Sequence, residues 1–263
     1  MSAAASAPFA DAAAASPVLE MKGIGKRFGA VDALSGVDFE VYPSEVVSLV
    51  GDNGAGKSTL VKIIAGTHAP DAGTIRFDGE EVQFRSPWHA THLGIETVYQ
   101  DLALCDNLDV VANMFLGRET VSSPRALRRL SELEMERRAL EVLKRLNVTT
   151  IRSVRAPVAA LSGGQRQSVA ISRAVMWNSK VVLLDEPTAA LGVAQTHQVL
   201  ELIKRLRHQG LGVVLISHNL RDVFEVSDRI VVLRLGKRLA TFRPTTSTPE
   251  EVVAAITGAS GAS

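Results

Sequence analysis

The stretch Gly51-Asp52-Asn53-Gly54-Ala55-Gly56-Lys57-Ser58-Thr59 decides how the rest of this sequence is interpreted. The apolar residues 46–50 before it predict a buried strand, and Leu60, Ile63 and Ile64 after it have helical spacing. Glycines between a strand and a helix let backbone N–H groups turn inward and form a nest for phosphates. A lysine and a serine that open the helix can then reach the phosphates and Mg²⁺. The stretch therefore predicts a nucleotide-binding loop.

Two carboxylates follow a second apolar run, Val181-Val182-Leu183-Leu184-Asp185-Glu186. Four consecutive apolar residues predict a strand that is buried on both faces, and its carboxyl end is where open α/β sheets bind ligands. We expect Asp185 to hold Mg²⁺ and Glu186 to polarise or deprotonate an attacking water. Acidic residues also form turns at strand ends, so this interpretation depends on the nucleotide-binding loop.

A third segment, Leu161-Ser162-Gly163-Gly164-Gln165, is typical of a capped helix start. Ser162 can serve as the N-cap, and the two glycines leave backbone amides open to close approach. Such a helix start is also an anion site. A second anion site suggests a phosphate held between two surfaces.

These motifs, in this order and spacing, resemble the ATP-binding cassette (ABC) family from about residue 19 to residue 258. The resemblance matches residues 51–58 to the Walker A motif, 181–185 to the Walker B motif and 161–165 to the signature. It further implies that Gln100 is the Q-loop glutamine, that His218 is the switch histidine and that Phe28 stacks on adenine. Two alternatives remain for these residues: Gln100 could be a surface loop residue, and Phe28 could pack on a small β-sheet core.

Residues and resemblance together give three predicted groups of site residues. The predicted catalytic residues are Lys57, Glu186 and His218. The predicted nucleotide contacts are Phe28, Gly51, Asp52, Asn53, Gly54, Ala55, Gly56, Lys57, Ser58, Thr59, Gln100, Ser162, Gly163, Gly164 and Gln165. The predicted Mg²⁺ ligands are Ser58, Gln100 and Asp185. ATP and Mg²⁺ are thus the implied substrate and cofactor.

One segment departs from the family. The D-loop that follows Pro187 (residues 188–192) commonly ends in Leu-Asp, whereas this chain has Leu191-Gly192. Without that carboxylate, a contact across a cassette dimer has to be made by backbone or is lost. Among the properties that the resemblance implies, the coupling of two ATP sites is therefore the least supported.

The alternation of strands and helices after residue 181 predicts an α/β fold with a mainly parallel sheet. The resemblance makes this a P-loop NTPase cassette with an N-terminal antiparallel β subdomain and an inserted α-helical subdomain at about residues 102–164. We expect one domain at residues 17–258, a disordered Ala-rich tail at 1–16 and a frayed tail at 259–263. Two local predictions accompany it. Asp78-Gly79 predicts a hairpin between residues 74–77 and 82–84, and one helical face is predicted to contain Leu130, Leu133, Leu140, Leu143 and Leu146.

Charge and cysteine content bear on the expected partners and cellular compartment. With a formal net charge of +1, the field of the whole molecule neither attracts nor repels nucleic acid, and we expect no nucleic-acid partner. Cys105 is the single cysteine, which fits a reducing compartment. No stretch approaches the roughly 18 apolar residues of a spanning helix. Between residues 118 and 155, ten Lys or Arg face five Glu. This excess is either a solvated face or a surface near anionic headgroups and membrane subunits.

Within the family, residues 51–59, Val98-Tyr99-Gln100-Asp101 and Phe115-Leu116-Gly117-Arg118-Glu119 look like bacterial monosaccharide importers of the ribose, xylose and fructose type. Most of that group fuse two cassettes, whereas this sequence has one cassette and no repeat. The resemblance therefore implies a second cassette, as a homodimer or a different chain, together with membrane permease subunits and, indirectly, a periplasmic sugar-binding protein. The expected location is peripheral, at the cytoplasmic face of the inner (plasma) membrane. The alternatives are a soluble ABC ATPase in DNA repair or translation, and an importer ATPase for a non-sugar substrate.

Overall fold

The computed structural model describes residues 16–121 and 129–259. The predicted tails lie almost wholly outside these ranges, as do residues 122–128 of the Arg-rich segment. The strands are β1 (Leu19–Phe28), β2 (Val31–Val41), β3 (Val46–Val50), β4 (Ala72–Phe77), β5 (Glu80–Glu81), β6 (Ile95–Val98), β7 (Val181–Asp185), β8 (Gly212–Ile216), β9 (Arg229–Arg234) and β10 (Lys237–Phe242). The helices are α1 (Lys57–Ile64), α2 (Pro87–Leu93), α3 (Val110–Phe115), α4 (Glu132–Arg145), α5 (Gly163–Val175), α6 (Val193–His208), α7 (Leu220–Val226) and α8 (Pro249–Thr257).

A six-stranded sheet forms the centre of the molecule, in the order β10-β9-β3-β8-β7-β6. Its strands pair in parallel from β9 to β6, and β10 pairs antiparallel with β9. Strands β3 and β8 are buried along their whole length, as parallel strands with helices on both faces must be. Consecutive residues of β3 face two layers: Val46 belongs to the apolar cluster that includes residues of α4, α5 and α6, and Val47 belongs to the cluster that includes residues of α1 and the second sheet. The predicted α/β fold with a mainly parallel sheet is confirmed.

The second sheet is antiparallel, in the order β2-β1-β4-β5, which confirms the predicted N-terminal β subdomain. Strand β1 extends to Phe28, well beyond the apolar residues at its start. Register shifts after Met21 and Ile24 interrupt the alternation of its side chains. The predicted hairpin at Asp78-Gly79 is confirmed, but its second strand is Glu80–Glu81 and not residues 82–84. Beyond that strand, Val82 N still donates to the Ile75 carbonyl of β4 (2.9 Å). The chain then turns into α2, which Ser86 caps by accepting a hydrogen bond from His89 N.

The predicted apolar face of the helical insertion is wrong in part. Leu130, Leu133 and Leu140 are 53%, 82% and 48% exposed, whereas Leu143 and Leu146 are buried. At 3.6 residues per turn, Leu133 and Leu140 share one side of α4. The buried side lies about half a turn away and consists of Met135, Ala139, Val142 and Leu143. Spacing among leucines alone could not show that most of the core side consists of Met135, Ala139 and Val142.

The basic residues of this insertion are extensively paired. Arg137 forms ion pairs with Glu134 and Glu141, and Arg155 lies within 3.5 Å of carboxylates of Asp109, Glu132 and Glu136. The local excess of positive charge is therefore partly neutralised within the helical layer. This pairing favours the solvated face among the two interpretations of the segment.

The sequence patterns did not predict the two C-terminal elements, β10 and α8. Strand β10 alternates exposed and half-buried residues, and its apolar residues do not all follow that alternation, since Leu239 is exposed. Helix α8 has a capping box in which Thr248 and Glu251 exchange side-chain-to-backbone bonds, followed by Pro249 at its first turn. That Thr-Pro-Glu-Glu pattern is a recognisable start signal for a helix. Among the residues that the structure describes, no helix combines the length and the apolar character needed to cross a bilayer.

Candidate functional site

The glycine loop joins the centre of the sheet to α1 at the carboxyl end of β3. Gly51, Gly54 and Gly56 have φ values of 151°, 80° and 104°, which L-residues with side chains rarely adopt. A Cβ at Gly51 would lie 2.2 Å from the Leu233 carbonyl oxygen of β9, and one at Gly56 would lie 2.8 Å from the Ala33 carbonyl oxygen. Gly54 has open space around it. The loop backbone is therefore held tightly against two strands, and its middle is free.

The start of α1 is arranged for an anion. Its N-cap is Gly56, which has no side chain to accept hydrogen bonds from the first-turn N–H groups. Those groups and the helix dipole leave partial positive charge at the loop. Lys57 Nζ donates across the loop to the carbonyls of Gly51 (2.6 Å) and Asp52 (2.9 Å). These carbonyls hold the ammonium where it could exchange to a phosphate oxygen.

The carboxylates at the end of β7 lie close to this lysine. Burial raises the pKa of Asp185, the neighbouring Glu186 raises it further, and Lys57 opposes both. Conversely, burial lowers the pKa of Lys57, against the attraction of Glu186, Asp52 and Asp185. Lys57 and Asp185, which are 128 residues apart in the sequence, thus interact electrostatically across the first two sequence motifs.

His218 completes this group from the end of β8. Its Nδ1 lies 2.9 Å from Glu186 Oε2, with the Glu186 side chain 17% exposed and the imidazole 79% exposed. Glu186 N also donates to the Ile216 carbonyl (2.9 Å), which ties the ends of β7 and β8 together. Because β7 and β8 are parallel neighbours, their carboxyl ends share one edge of the sheet. The three predicted catalytic residues and Asp185 lie together at this edge.

Phe28 and Gln100 lie at the periphery. Phe28 ends β1, is 46% exposed and makes an edge contact with His68 at 5.4 Å between ring centroids. Its exposure argues against the alternative in which Phe28 packs on the β-sheet core. His68 follows α1 and had no sequence pattern that would place it beside Phe28. Gln100 follows β6 and is exposed.

The signature segment forms the start of α5. Ser162 Oγ accepts from Gln165 N (3.4 Å), Gln165 Oε1 accepts from Ser162 N (2.8 Å), and Gln165 Nε2 donates to the Thr150 carbonyl (2.6 Å). This confirms Ser162 as the N-cap. Within residues 16–121 and 129–259, no hydrogen bond or ion pair joins residues 162–165 to the glycine loop.

The residues present fit Mg²⁺. Ser58, Gln100 and Asp185 offer oxygen ligands, which hard divalent cations prefer. The raised pKa of Asp185 shows that its negative charge is unfavourable beside Glu186 in a partly buried position. A cation at this place would relieve that cost.

Comparisons with known proteins extend over most of the chain. Residues 34–189 match the family model described as ABC transporter. The chain is 50% identical to the fructose import ATP-binding protein FrcA of Rhizobium meliloti, over 92% of this chain and 95% of that protein. It is 46% identical to the xylose/arabinose import ATP-binding protein XylG of Sulfolobus acidocaldarius, over 92% and 94%. It is also 46% identical to the ribose import ATP-binding protein RbsA 1 of Rubrobacter xylanophilus, over 84% of this chain and 43% of that protein.

Solved structures agree with these relatives. A nucleotide-free ATP-binding cassette from an ABC transporter superposes with a TM-score of 0.76 at 28% identity, covering 92% of this chain and 96% of that chain. A dimeric post-hydrolysis cassette bound to ADP and Pi superposes with a TM-score of 0.70 at 28% identity, covering 86% and 98%. The family model, the relatives and the overall fold agree. The chain therefore belongs to the ABC transporter family, as an ATP-binding cassette that hydrolyses ATP.

Proposed function

We propose that this chain is the ATP-hydrolysing subunit of a bacterial importer for a monosaccharide of the fructose, ribose or xylose type. The observation that carries the hydrolytic part is the 2.9 Å contact of His218 with Glu186 beside Lys57. The cargo class is supported by the likeness to a fructose import protein along nearly the whole length of both chains.

Each residue at the sheet edge has a role in this proposal. Lys57 exchanges its bonds to the Gly51 and Asp52 carbonyls for oxygens of the terminal phosphates. Glu186 accepts the proton of the attacking water, and His218 holds that carboxylate in place. Mg²⁺, held by Ser58, Gln100 and Asp185, supplies charge neutralisation at the phosphates when it is bound. Catalysis then consists of positioning and electrostatic stabilisation, without a covalent intermediate on the protein.

The nucleotide is proposed to lie between two cassettes. Phe28 stacks on the adenine, residues 51–59 bind the phosphates, and residues 162–165 of a second copy close over them. The exposed capping box at Ser162 supports this arrangement, as does the lack of hydrogen bonds and ion pairs between the two surfaces within residues 16–121 and 129–259. So does the dimeric state of a solved cassette.

The partners of the dimer are proposed to be membrane permease subunits, with a periplasmic sugar-binding protein acting through them. The chain would be peripheral, at the cytoplasmic face of the inner membrane. The names of its relatives as import ATP-binding proteins support this assignment. Opening and closing of the dimer would be its mechanical output.

Replacing Glu186 tests the hydrolytic role. We expect Glu186→Gln to keep ATP affinity, to lose turnover and to elute as a dimer with ATP on size exclusion. The matched control is Glu201→Gln, which makes the same change at a carboxylate paired with Lys204 on α6. Near-normal hydrolysis by Glu186→Gln would remove Glu186 from its role.

Co-purification with a permease tests the biological role. The chain is expressed with an affinity tag at native level, and the sugar is then sought by a thermal-shift screen of the binding protein encoded with that permease. We expect membrane subunits to co-purify and a monosaccharide to stabilise the binding protein. Recovery with ribosomes or DNA instead would contradict import.

A further inference from the structure

A side-chain hydrogen bond joins the D-loop to α7. Thr188 Oγ1 donates to Asp222 Oδ2 at 2.7 Å, and Asp222 is only 4% exposed. A buried carboxylate needs hydrogen-bond donors to offset its lost hydration. Thr188 supplies one from a segment 34 residues away in the sequence. The bond therefore joins two segments that follow neighbouring strands.

The backbone on either side of Thr188 is strained. Glu186 has φ 49° and Ala190 has φ 59°, both in the left-handed region that residues with a Cβ avoid. Such conformations persist where surrounding contacts hold them. At the end of the loop, a Cβ on Gly192 would meet no atom within 4 Å, so this position adds no side-chain contact. Thr188 is the point between the two strained residues where a side chain anchors the loop.

The other end of the tie lies one helical turn after His218. Asp222 is in the first turn of α7, and the Asn219 side chain caps that helix by accepting from Arg221 N. Val223, next to Asp222, is fully buried. Helix α7 thus fixes Asp222 relative to His218. The contacts close a ring that runs from Glu186 through Thr188, Asp222 and His218 back to Glu186.

We propose that Thr188 and Asp222 are positioning residues that set the separation of Glu186 and His218 during ATP hydrolysis. The inference rests on the roles proposed above for Glu186 and His218. Without the tie, the Glu186 backbone can leave its left-handed conformation, and its carboxylate then moves away from the imidazole. Nucleotide binding at the glycine loop involves neither residue. Loss of the hydrogen bond should therefore lower the turnover of ATP without weakening its binding.

Three substitutions at Thr188 and a distant threonine test the tie by steady-state kinetics. Thr188→Val keeps the side-chain shape without the hydroxyl, and we expect kcat to fall by about tenfold or more while KM for ATP changes less than about twofold. Thr188→Ser keeps a hydroxyl donor and is expected to restore most of kcat. The matched control Thr257→Val removes a hydroxyl that donates to the Val253 carbonyl within α8. A Thr188→Val variant with wild-type kcat, or with a raised KM and unchanged kcat, would overturn the proposal.

A double variant separates positioning from simple loss of stability. Thr188→Val leaves the Asp222 carboxylate buried without its donor, which lowers the melting temperature and could prevent folding. Thr188→Val with Asp222→Asn removes that charge, and we expect it to melt closer to wild type while kcat stays low. Recovery of wild-type kcat in the double variant would show that the unpaired charge caused the defect and would overturn the tie.

Glu186→Gln, assayed alongside, distinguishes this inference from the proposed function. If Glu186→Gln is inactive and Thr188→Val is normal, the positioning role fails and the proposed function stands. If Glu186→Gln hydrolyses ATP normally, both fail.

Discussion

Replacing Gly51 or Gly54 by Ala compares two positions of one loop that differ in the space around them. Both have positive φ, 151° and 80°. A Cβ at Gly51 would lie 2.2 Å from the Leu233 carbonyl oxygen and 3.0 Å from Ala55 Cβ, whereas one at Gly54 would meet nothing within 4 Å. The Gly54 variant therefore has only backbone strain. The Gly51 variant must also displace β9 or the loop.

The expected magnitudes follow from these two terms. Left-handed backbone costs about 1–2 kcal/mol for a residue with a Cβ, which sets the loss for Gly54→Ala. For Gly51→Ala, the backbone conformation costs about 1–3 kcal/mol. The overlap of the new Cβ with its neighbours, which forces the backbone to shift, costs about 1–3 kcal/mol more. For a domain of this size, 1 kcal/mol corresponds to about 2–4 °C in Tm. Taking the middle of each range, we expect a decrease of about 4–5 °C for Gly54→Ala and about 12 °C for Gly51→Ala.

The measurement is thermal unfolding by circular dichroism without nucleotide, so that ligand binding contributes nothing to the difference. Both variants and the parent chain are heated at one scan rate. Equal decreases in Tm, or a larger decrease for Gly54→Ala, would refute the close packing of the loop against β9.

Two further substitutions test the charge at β7 and the corrected face of α4. The raised pKa of Asp185 means that its ionised form is disfavoured in the folded state; the carboxylate costs stability above that pKa, and the cost disappears as pH falls through it. Asp185→Asn should therefore raise the melting temperature of the nucleotide-free chain at pH 7.5, with a smaller gain near pH 4, while Mg²⁺-dependent turnover is lost; a lower melting temperature at pH 7.5 would contradict this. Leu143→Ala should lower the unfolding free energy by about 2–5 kcal/mol, since Leu143 is buried. Leu140→Ala, at a half-exposed position, should change the unfolding free energy by about 0.5 kcal/mol or less. Urea denaturation in which Leu140→Ala costs more than Leu143→Ala would contradict this assignment of the buried side of α4.

Local patterns were sufficient where one segment contains its own signal. Strands β3 and β7 are mostly apolar because parallel strands are buried on both faces, and the glycines between β3 and α1 mark a turn that few other residues allow. The position of Ser162 before two glycines and Gln165 predicted that it is an N-cap. These signals predicted the α/β fold, the nucleotide-binding loop and the start of α5.

Local patterns failed where burial depends on a neighbour from elsewhere in the chain. The sides of α4 differ in what packs on them, and leucine spacing does not record that difference. Strand β10 is at the sheet edge, and its apolar residues do not all fall at its half-buried positions, so the pairing with β9 identifies it as a strand.

The sequence by itself determined which chemical groups are present, and the fold determined which of them meet. Motif resemblance named Lys57, Glu186 and His218. Their proximity follows from the order β3-β8-β7, which brings three separate strand ends to one edge. The Thr188–Asp222 bond arises in the same way, between segments that follow β7 and β8. Strand order is set by the packing of the whole core, and no window of neighbouring residues contains it.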